Sequence, residues 1–335
     1  MKKLRASLSV LLLLLLLAAG GLYLWIQSGL GPGTNGSEVL VRYERETPLA
    51  TILKDLEKRG VVHNPEALLA FAKLRKYSTT PVSVGTYRFR AFITGKDVLK
   101  ALRDPVRQMV RLPETNWAAR SANILEENGV CSASEYLALV RKPDEFRKEV
   151  SFPLPKDSLE GYLYPDTYDL PPLLGARQTI LRQLKTFEKK AWNELGKPKN
   201  LHRLVTVASM VQMEVAKDEE RAKVAGVIQN RLNRNMRLQI DATINYALQK
   251  WRPLTLADYR EVESPYNTYL VDGLPPGPIC SPSFKSIEAA LKPSEHRYLY
   301  YVANPQTNEH MFAPTYQEHL RNVARRKRIA KGMGS

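Results

Sequence analysis

The chain has 335 residues, 44% hydrophobic and 25% charged, with a formal net charge of +16. That length and balance exclude a disordered chain and leave room for two domains with proper cores, while the positive charge implies an anionic partner: nucleic acid, phospholipid or a carboxylate-rich polymer. Two cysteines, Cys131 and Cys280, are too few and too far apart for a disulfide framework or a cysteine metal site; they are read as free buried thiols, with a single bridge between them as the alternative in an oxidising compartment.

In chain order, Lys2, Lys3 and Arg5 precede an uncharged run from Ala6 to Ile26, about the length a helix needs to cross a bilayer. Basic residues before the run and none soon after predict a single-pass anchor with its N-terminus in the cytoplasm. The apolar run continues past the small residues Ala18 and Ala19, which argues against a cleaved signal peptide. Everything downstream is then expected outside the cytoplasm, and this removes nucleic acid as the partner.

Residues 27–38, "QSGLGPGTNGSE", read as a linker. "PLATILKDLEKRGVV" places Leu49, Ile52, Leu53 and Leu56 on one helical face, and "NPEALLAFAKLRKY" opens a second helix with an Asn and Pro start signal. "VSVGTYRFRAFITGKDVLKALRD" reads as a strand, a turn and a helix from about Gly95, and "RQMVRLPETNWAARSANILEENG" as another strand and helix. "SASEYLALV" adds a short helix. Long helices are expected over "ARQTILRQLKTFEKKAWNEL" and over "HRLVTVASMVQMEVAKDEERAKVAGVIQNRL" as one piece, followed by loops rich in Pro, Gly, Tyr and Asn and the strand-like "RYLYYVAN". Arg321, Arg325, Arg326, Lys327, Arg328 and Lys331 make the end a basic tail, suited to solvent, a membrane surface or an anionic polymer.

No His-Glu-x-x-His, Gly-x-Ser-x-Gly or phosphate-binding loop occurs, so no metal and no cofactor are expected. One residue stands out. At helical spacing Val207, Met210, Val211 and Glu214 share one quadrant, which puts a carboxyl group in an apolar stripe. Such a group must be paired, protonated or facing a cavity. "NMRLQIDATINYAL" then gathers Arg237, Gln239, Asp241, Thr243, Asn245 and Tyr246, and "SPYNTYLVDGLPPGPICSPS" adds Tyr266, Asn267, Thr268 and Tyr269 before a rigid Pro and Gly loop. Aromatic faces beside amide and hydroxyl tips suit a sugar-binding groove.

Together "LEGYLYPDTY", "ASMVQMEVAKDEERAKVAGVIQNRL", "MRLQIDAT", "SPYNTY" and "GLPPGPI", in this order and spacing from about Leu159 to His319, resemble the endolytic murein transglycosylases of the YceG-like family. The resemblance implies an α+β protein: a transmembrane helix (1–26), a linker (27–38), a LysM-like module suggested by "VGTYRFRAFITGKDVLKAL" with a connecting region (39–150), a catalytic domain (151–322) and the basic tail (323–335). It implies cleavage of the bond between N-acetylmuramic acid and N-acetylglucosamine in nascent peptidoglycan strands, leaving 1,6-anhydro ends, at the outer face of the inner membrane, in the periplasm. Glu214 takes the position of the family's catalytic acid. Gln239, Asp241, Tyr266, Asn267 and Tyr269 are candidates for holding the sugar, and peptidoglycan synthases are candidate partners. The chain departs from the family pattern at Gln212, where a first acid is usual, at Ala242, where Pro is usual, and at Thr115, where Gly is usual. The competing expectation is a non-catalytic, membrane-tethered scaffold that binds peptidoglycan and organises the synthases.

Overall fold

The computed structural model describes residues 2–77 and 81–332; the last three residues of the expected tail lie outside it. Helices and strands are both present, and the fold is α+β, with three two-stranded sheets among the described residues. The chain divides into two compact units, Met1–Met109 with Asp169–Leu174, and Val110–Tyr168 with Gly175–Ser335. Residues 110–150, grouped above with the small module, thus belong to the second unit.

In the first unit, helix α1 (Lys2–Leu30) runs through the apolar segment, and from Ser7 onward it is long and apolar enough to cross a membrane. Strand β1 (Val39–Tyr43), helices α2 (Leu49–Lys58) and α3 (Pro65–Leu74), strand β2 (Gly85–Phe89) and helix α4 (Gly95–Ala101) follow. The expected Asn and Pro start signal operates as such, the Asn64 side chain accepting from the Ala67 N–H at 3.0 Å, and Thr94, not singled out in the sequence, caps α4 through the Asp97 N–H. β1 and β2 pair antiparallel with Val41 opposite Tyr87, and Ile52, Leu53, Leu56, Leu68, Tyr87 and Phe89 are fully buried around them. Each such side chain contributes about 2 kcal/mol by leaving water.

The segment read as a linker is bonded into this unit. The Gly33 N–H donates to Ile93 O at 3.0 Å, the Asn35 N–H to Gly60 O at 2.9 Å, and Asn35 Nδ2 to Arg59 O at 2.9 Å. α1 itself extends beyond Ile26, and Ile26 and Leu30 pack on the module's core. At Gly29 the helix backbone lies so close to Leu68 and Ala67 that any Cβ would collide with their main chain.

The second unit begins with strand β3 (Met109–Leu112), helices α5 (Ala118–Glu127) and α6 (Ala133–Val140), strand β4 (Asp166–Asp169), which pairs with β3, and helix α7 (Ala176–Phe187). The expected single long helix is broken in two. Helix α8 (Leu201–Glu214) stops because Val215 is extended (φ −108°, ψ 125°), and a 3₁₀ turn over Asp218–Glu220 precedes helix α9 (Arg221–Asn233). Asp218 fixes that turn by accepting from Arg221 Nε at 2.8 Å and pairing with Lys285. Glu214 is therefore the last residue of a helix rather than part of a helix interior.

The Pro- and Gly-rich stretch contains three short helices, α10 (Asp241–Ala247), α11 (Leu256–Glu261) and α12 (Phe284–Leu291). Strands β5 (Tyr300–Ala303) and β6 (His310–Ala313) form an antiparallel hairpin with Tyr301 opposite Phe312. The basic end is a helix, α13 (Tyr316–Gly332), with no buried residue. Val207, Met210 and Val211 join Val224, Ile228, Ile240 and Ile279 in the core under these elements. Both cysteines are free, Cys280 buried and Cys131 half-buried.

Candidate functional site

A cavity of about 720 Å³ opens in the second unit, and Glu214 stands in its wall with Gln239, Asp241 and Tyr269. The Glu214 carboxyl receives a hydrogen bond at 3.1 Å from the Tyr301 hydroxyl, brought across from β5. Burial pushes its pKa up to about 7; the Tyr301 hydroxyl and the Arg231 guanidinium pull the other way, and the Asp241 carboxyl adds to the rise. The Tyr301 phenol, buried beside Glu214, is itself held well above its ordinary pKa and remains a donor. A carboxyl group balanced near neutrality in a cavity wall can both give and take a proton.

Asp241 opens α10 and accepts from two phenols, Tyr269 at 2.6 Å and Tyr259 at 3.2 Å, whose rings meet edge to face at 4.6 Å. Those tyrosines are placed by Asn267, which is fully buried: its Oδ1 accepts from the Tyr269 N–H at 3.0 Å and its Nδ2 donates to Val262 O at 3.0 Å. Buried Thr268 joins the two motifs, its hydroxyl accepting from the Ile240 N–H at 2.9 Å and meeting the Thr243 hydroxyl at 3.0 Å. Gln239, next to it, takes a positive φ of 50° and bonds its N–H to Thr268 O at 3.1 Å, which leaves its exposed side chain in the cavity wall.

Of the six residues singled out in the sequence, Glu214, Gln239, Asp241 and Tyr269 come together around the cavity. Asn267 stands behind the wall as a clamp. Tyr266 is not in the wall either; its ring packs at 4.8 Å on Tyr246, and Tyr246 reaches toward Glu160. Gln212 points into the joint of α8, α9 and α12, where its Oε1 accepts from the Ser283 and Ser286 hydroxyls at 2.7 and 2.8 Å and from Arg221 at 3.3 Å. A neutral amide oxygen meets those donors, and this explains how the chain does without an acid there.

Sequence reasoning missed Tyr301, Arg231 and the aromatic wall supplied by Tyr300. Arg231 is buried, donates to Leu299 O at 2.6 Å and Leu238 O at 2.7 Å, and lies 5.3 Å from the Tyr300 ring. It locks the β5 hairpin onto α9. The alternation of "RYLYYVAN" marked a strand, but only the hairpin's register decides that Tyr301 meets Glu214. Behind Tyr301, edge to face at 5.1 Å, His310 forms a buried pair with Glu220 at 2.9 Å. Among the described residues no three His, Cys, Asp or Glu side chains gather in a metal-binding arrangement.

The model of the YceG-like family matches residues 41–325. An endolytic murein transglycosylase of Streptococcus pneumoniae is 32% identical over 94% of this chain and 64% of its own length. One of Bacillus subtilis is 37% identical over 56% of this chain and 51% of its own. The chain thus spans less than two thirds of either relative. The crystal structure of a yceG-like protein of Listeria monocytogenes superposes with a TM-score of 0.57 at 29% identity, covering 85% of this chain and 99% of that one.

Proposed function

The chain belongs to the YceG-like family, and from that premise we propose that it is a membrane-anchored endolytic lytic transglycosylase of peptidoglycan. The observation that carries the reading is the Glu214 carboxyl, set in a cavity wall with a pKa pushed up to about 7 and a phenol as its hydrogen-bond donor. The names of its Streptococcus and Bacillus relatives supply the substrate class.

Glu214 starts protonated and gives its proton to the glycosidic oxygen between N-acetylmuramic acid and N-acetylglucosamine. Positive charge grows on the muramic ring, and the new carboxylate, steadied by the Tyr301 hydroxyl, takes the proton of that sugar's C6 hydroxyl. The C6 oxygen closes a 1,6-anhydro ring, and no water is consumed. A hydrolase would need a second carboxylate for water. Asp241 is the only nearby candidate offered by the motifs, and it is engaged by two phenols.

In this reading α1 crosses the inner membrane with its N-terminus inside, the small unit acts as a LysM-like glycan contact, Gln239, Asp241 and Tyr269 hold the sugar, and the enzyme limits strand growth in the periplasm beside peptidoglycan synthases. Mass spectrometry of peptidoglycan treated with the full chain, beside its Glu214→Gln variant, tests it. Internal fragments with 1,6-anhydro ends, absent with the variant, are the expected result. Reducing ends would make it a hydrolase, and intact strands with binding retained would make it a scaffold.

A further inference from the structure

The cavity wall contains three arginines, and two of them are already committed. Arg231 spends its guanidinium on backbone carbonyls, and Arg252 pairs with Asp258 through both nitrogens at 2.7 and 2.8 Å. Arg326, on α13, has no acidic or carbonyl partner among the described residues.

Its position is determined by the helix. Tyr316, His319 and Arg326 are spaced three and seven residues apart, which puts them on one face, and that face borders the cavity. The Tyr300 ring meets Tyr316 at 5.8 Å and stacks on His319 at 5.2 Å, and Asn322 Nδ2 reaches Phe312 O at 3.4 Å, so α13 is anchored on the hairpin that carries Tyr301. Arg326 follows His319 by about two turns, roughly 10 Å along the helix. Burial and the nearby Arg231 hold His319 below its ordinary pKa, so this wall reads, in order, aromatic, aromatic, cation.

The geometry points to a subsite in which Arg326 holds a carboxylate carried on the bound glycan strand, while the aromatic residues before it pack against sugar. This rests on the transglycosylase reading for the strand's identity. A planar guanidinium matches a carboxylate through two parallel hydrogen bonds, and the remaining charges of α13 raise the local positive potential. Two groups on such a strand carry that chemistry: the carboxylates of its peptide stems, and the lactyl carboxylate that is freed when the stem is removed.

The test measures binding of soluble, uncrosslinked strands to the full chain carrying Glu214→Gln, so that nothing is cut. Arg326→Ala should weaken binding of peptide-bearing strands about tenfold, and capping the strand carboxylates as amides should cost the parent the same factor and make it indifferent to Arg326. Arg325→Ala removes an equal charge about 100° around the helix, and through the lowered potential alone should cost affinity no more than about twofold. Equal affinity of Arg326→Ala and its parent on peptide-bearing and on peptide-stripped strands alike, or an equal loss in Arg325→Ala, overturns the subsite. Strands stripped of peptide identify the group: retained, Arg326-dependent binding assigns the lactyl carboxylate, and a loss without further dependence on Arg326 assigns the stem. Cleavage by the unsubstituted chain is scored separately. Uncut strands with Arg326-dependent binding would remove the reaction and keep the subsite, and cut strands with Arg326-independent binding would do the reverse.

Discussion

Glu160 and Glu214 lie in the same unit, and burial pushes both carboxyl groups up to about 7. Their surroundings differ. Glu160 is 5% exposed, and both its oxygens accept from the Ala118 N–H, at 3.1 and 3.0 Å, at the start of α5, with the Tyr246 hydroxyl at 3.5 Å. The residue after it, Gly161, has a φ of +83° and sits where a Cβ would strike Pro278, so the loop holding Glu160 is wedged in place. Glu214 has a single phenol and an open cavity before it. The same perturbation thus accompanies a fastener at one position and the proposed proton donor at the other, and the space in front of the carboxyl group is what differs between them.

The largest effect separates the two directly. Glu214→Gln should lower the rate of strand cleavage by about 10²–10⁴-fold with little change in melting temperature, while Glu160→Gln should leave cleavage within a few-fold. Rates from anhydro-end mass spectrometry beside thermal melts would show it, and comparable rate losses would erase the distinction. Glu160→Ala should destabilise the protein by about 2–3 kcal/mol, since it strands the Ala118 N–H and opens a void, as read from denaturant midpoints.

pH sharpens the comparison further. A carboxyl raised from 4.5 to about 7 in the folded protein binds its proton more tightly there than in the unfolded chain. Its contribution to stability is then greatest below about pH 4.5, declines up to about 7 and stays level above it. Against Glu160→Gln, the parent should lose on the order of 2–3 kcal/mol between pH 4.5 and 8. A parallel pH dependence in both proteins would show that Glu160 is not the group responsible.

Smaller effects probe the neighbours of Glu214. Asp241→Asn keeps an acceptor for one of the two phenols and turns an amide N–H toward the other, and should cost about tenfold in cleavage; a loss as deep as that of Glu214→Gln would reveal a second acid in the chemistry. Tyr301→Phe removes the bond that lowers the Glu214 pKa. In the proposed mechanism the protonated form does the work, so the alkaline limb of the rate profile should move to higher pH, with a rate loss of a few-fold at pH 6. An unmoved limb would mean that another group sets it.

Much of the fold was legible where a local rule governs it. Asn64 and Pro65 mark a helix start that the structure uses, because a cap is an interaction within four residues, and the same local rule places Thr94 and Ser132 at the starts of α4 and α6. The break after Glu214 was not legible: Val215 and Lys217 are extended, and the turn that follows is held by Asp218 pairing with Lys285 on α12, far along the chain. The same holds for the site. Glu214 announced itself as an acid in an apolar stripe, and Asp241 and Tyr269 as members of polar motifs. Tyr266 and Asn267 carry the same side-chain chemistry as true wall residues, and only the fold turns one toward Tyr246 and the other into the scaffold. The basic end read as a tail because charge patterning alone does not reveal that Tyr316 and His319 dock it on Tyr300.

One consequence lies at the other end of the chain. α1 does not pass into a slack tether; its last turn is packed against α3 at Gly29, and Ser28 Oγ accepts from Asn64 Nδ2 at 2.9 Å. Inserted in a bilayer, such a helix and its module tilt together. In the proposed anchored arrangement, any lean of the span, whether from lipid thickness or from crowding by neighbouring helices, would be handed undamped to the small unit, so that the membrane would set that unit's angle.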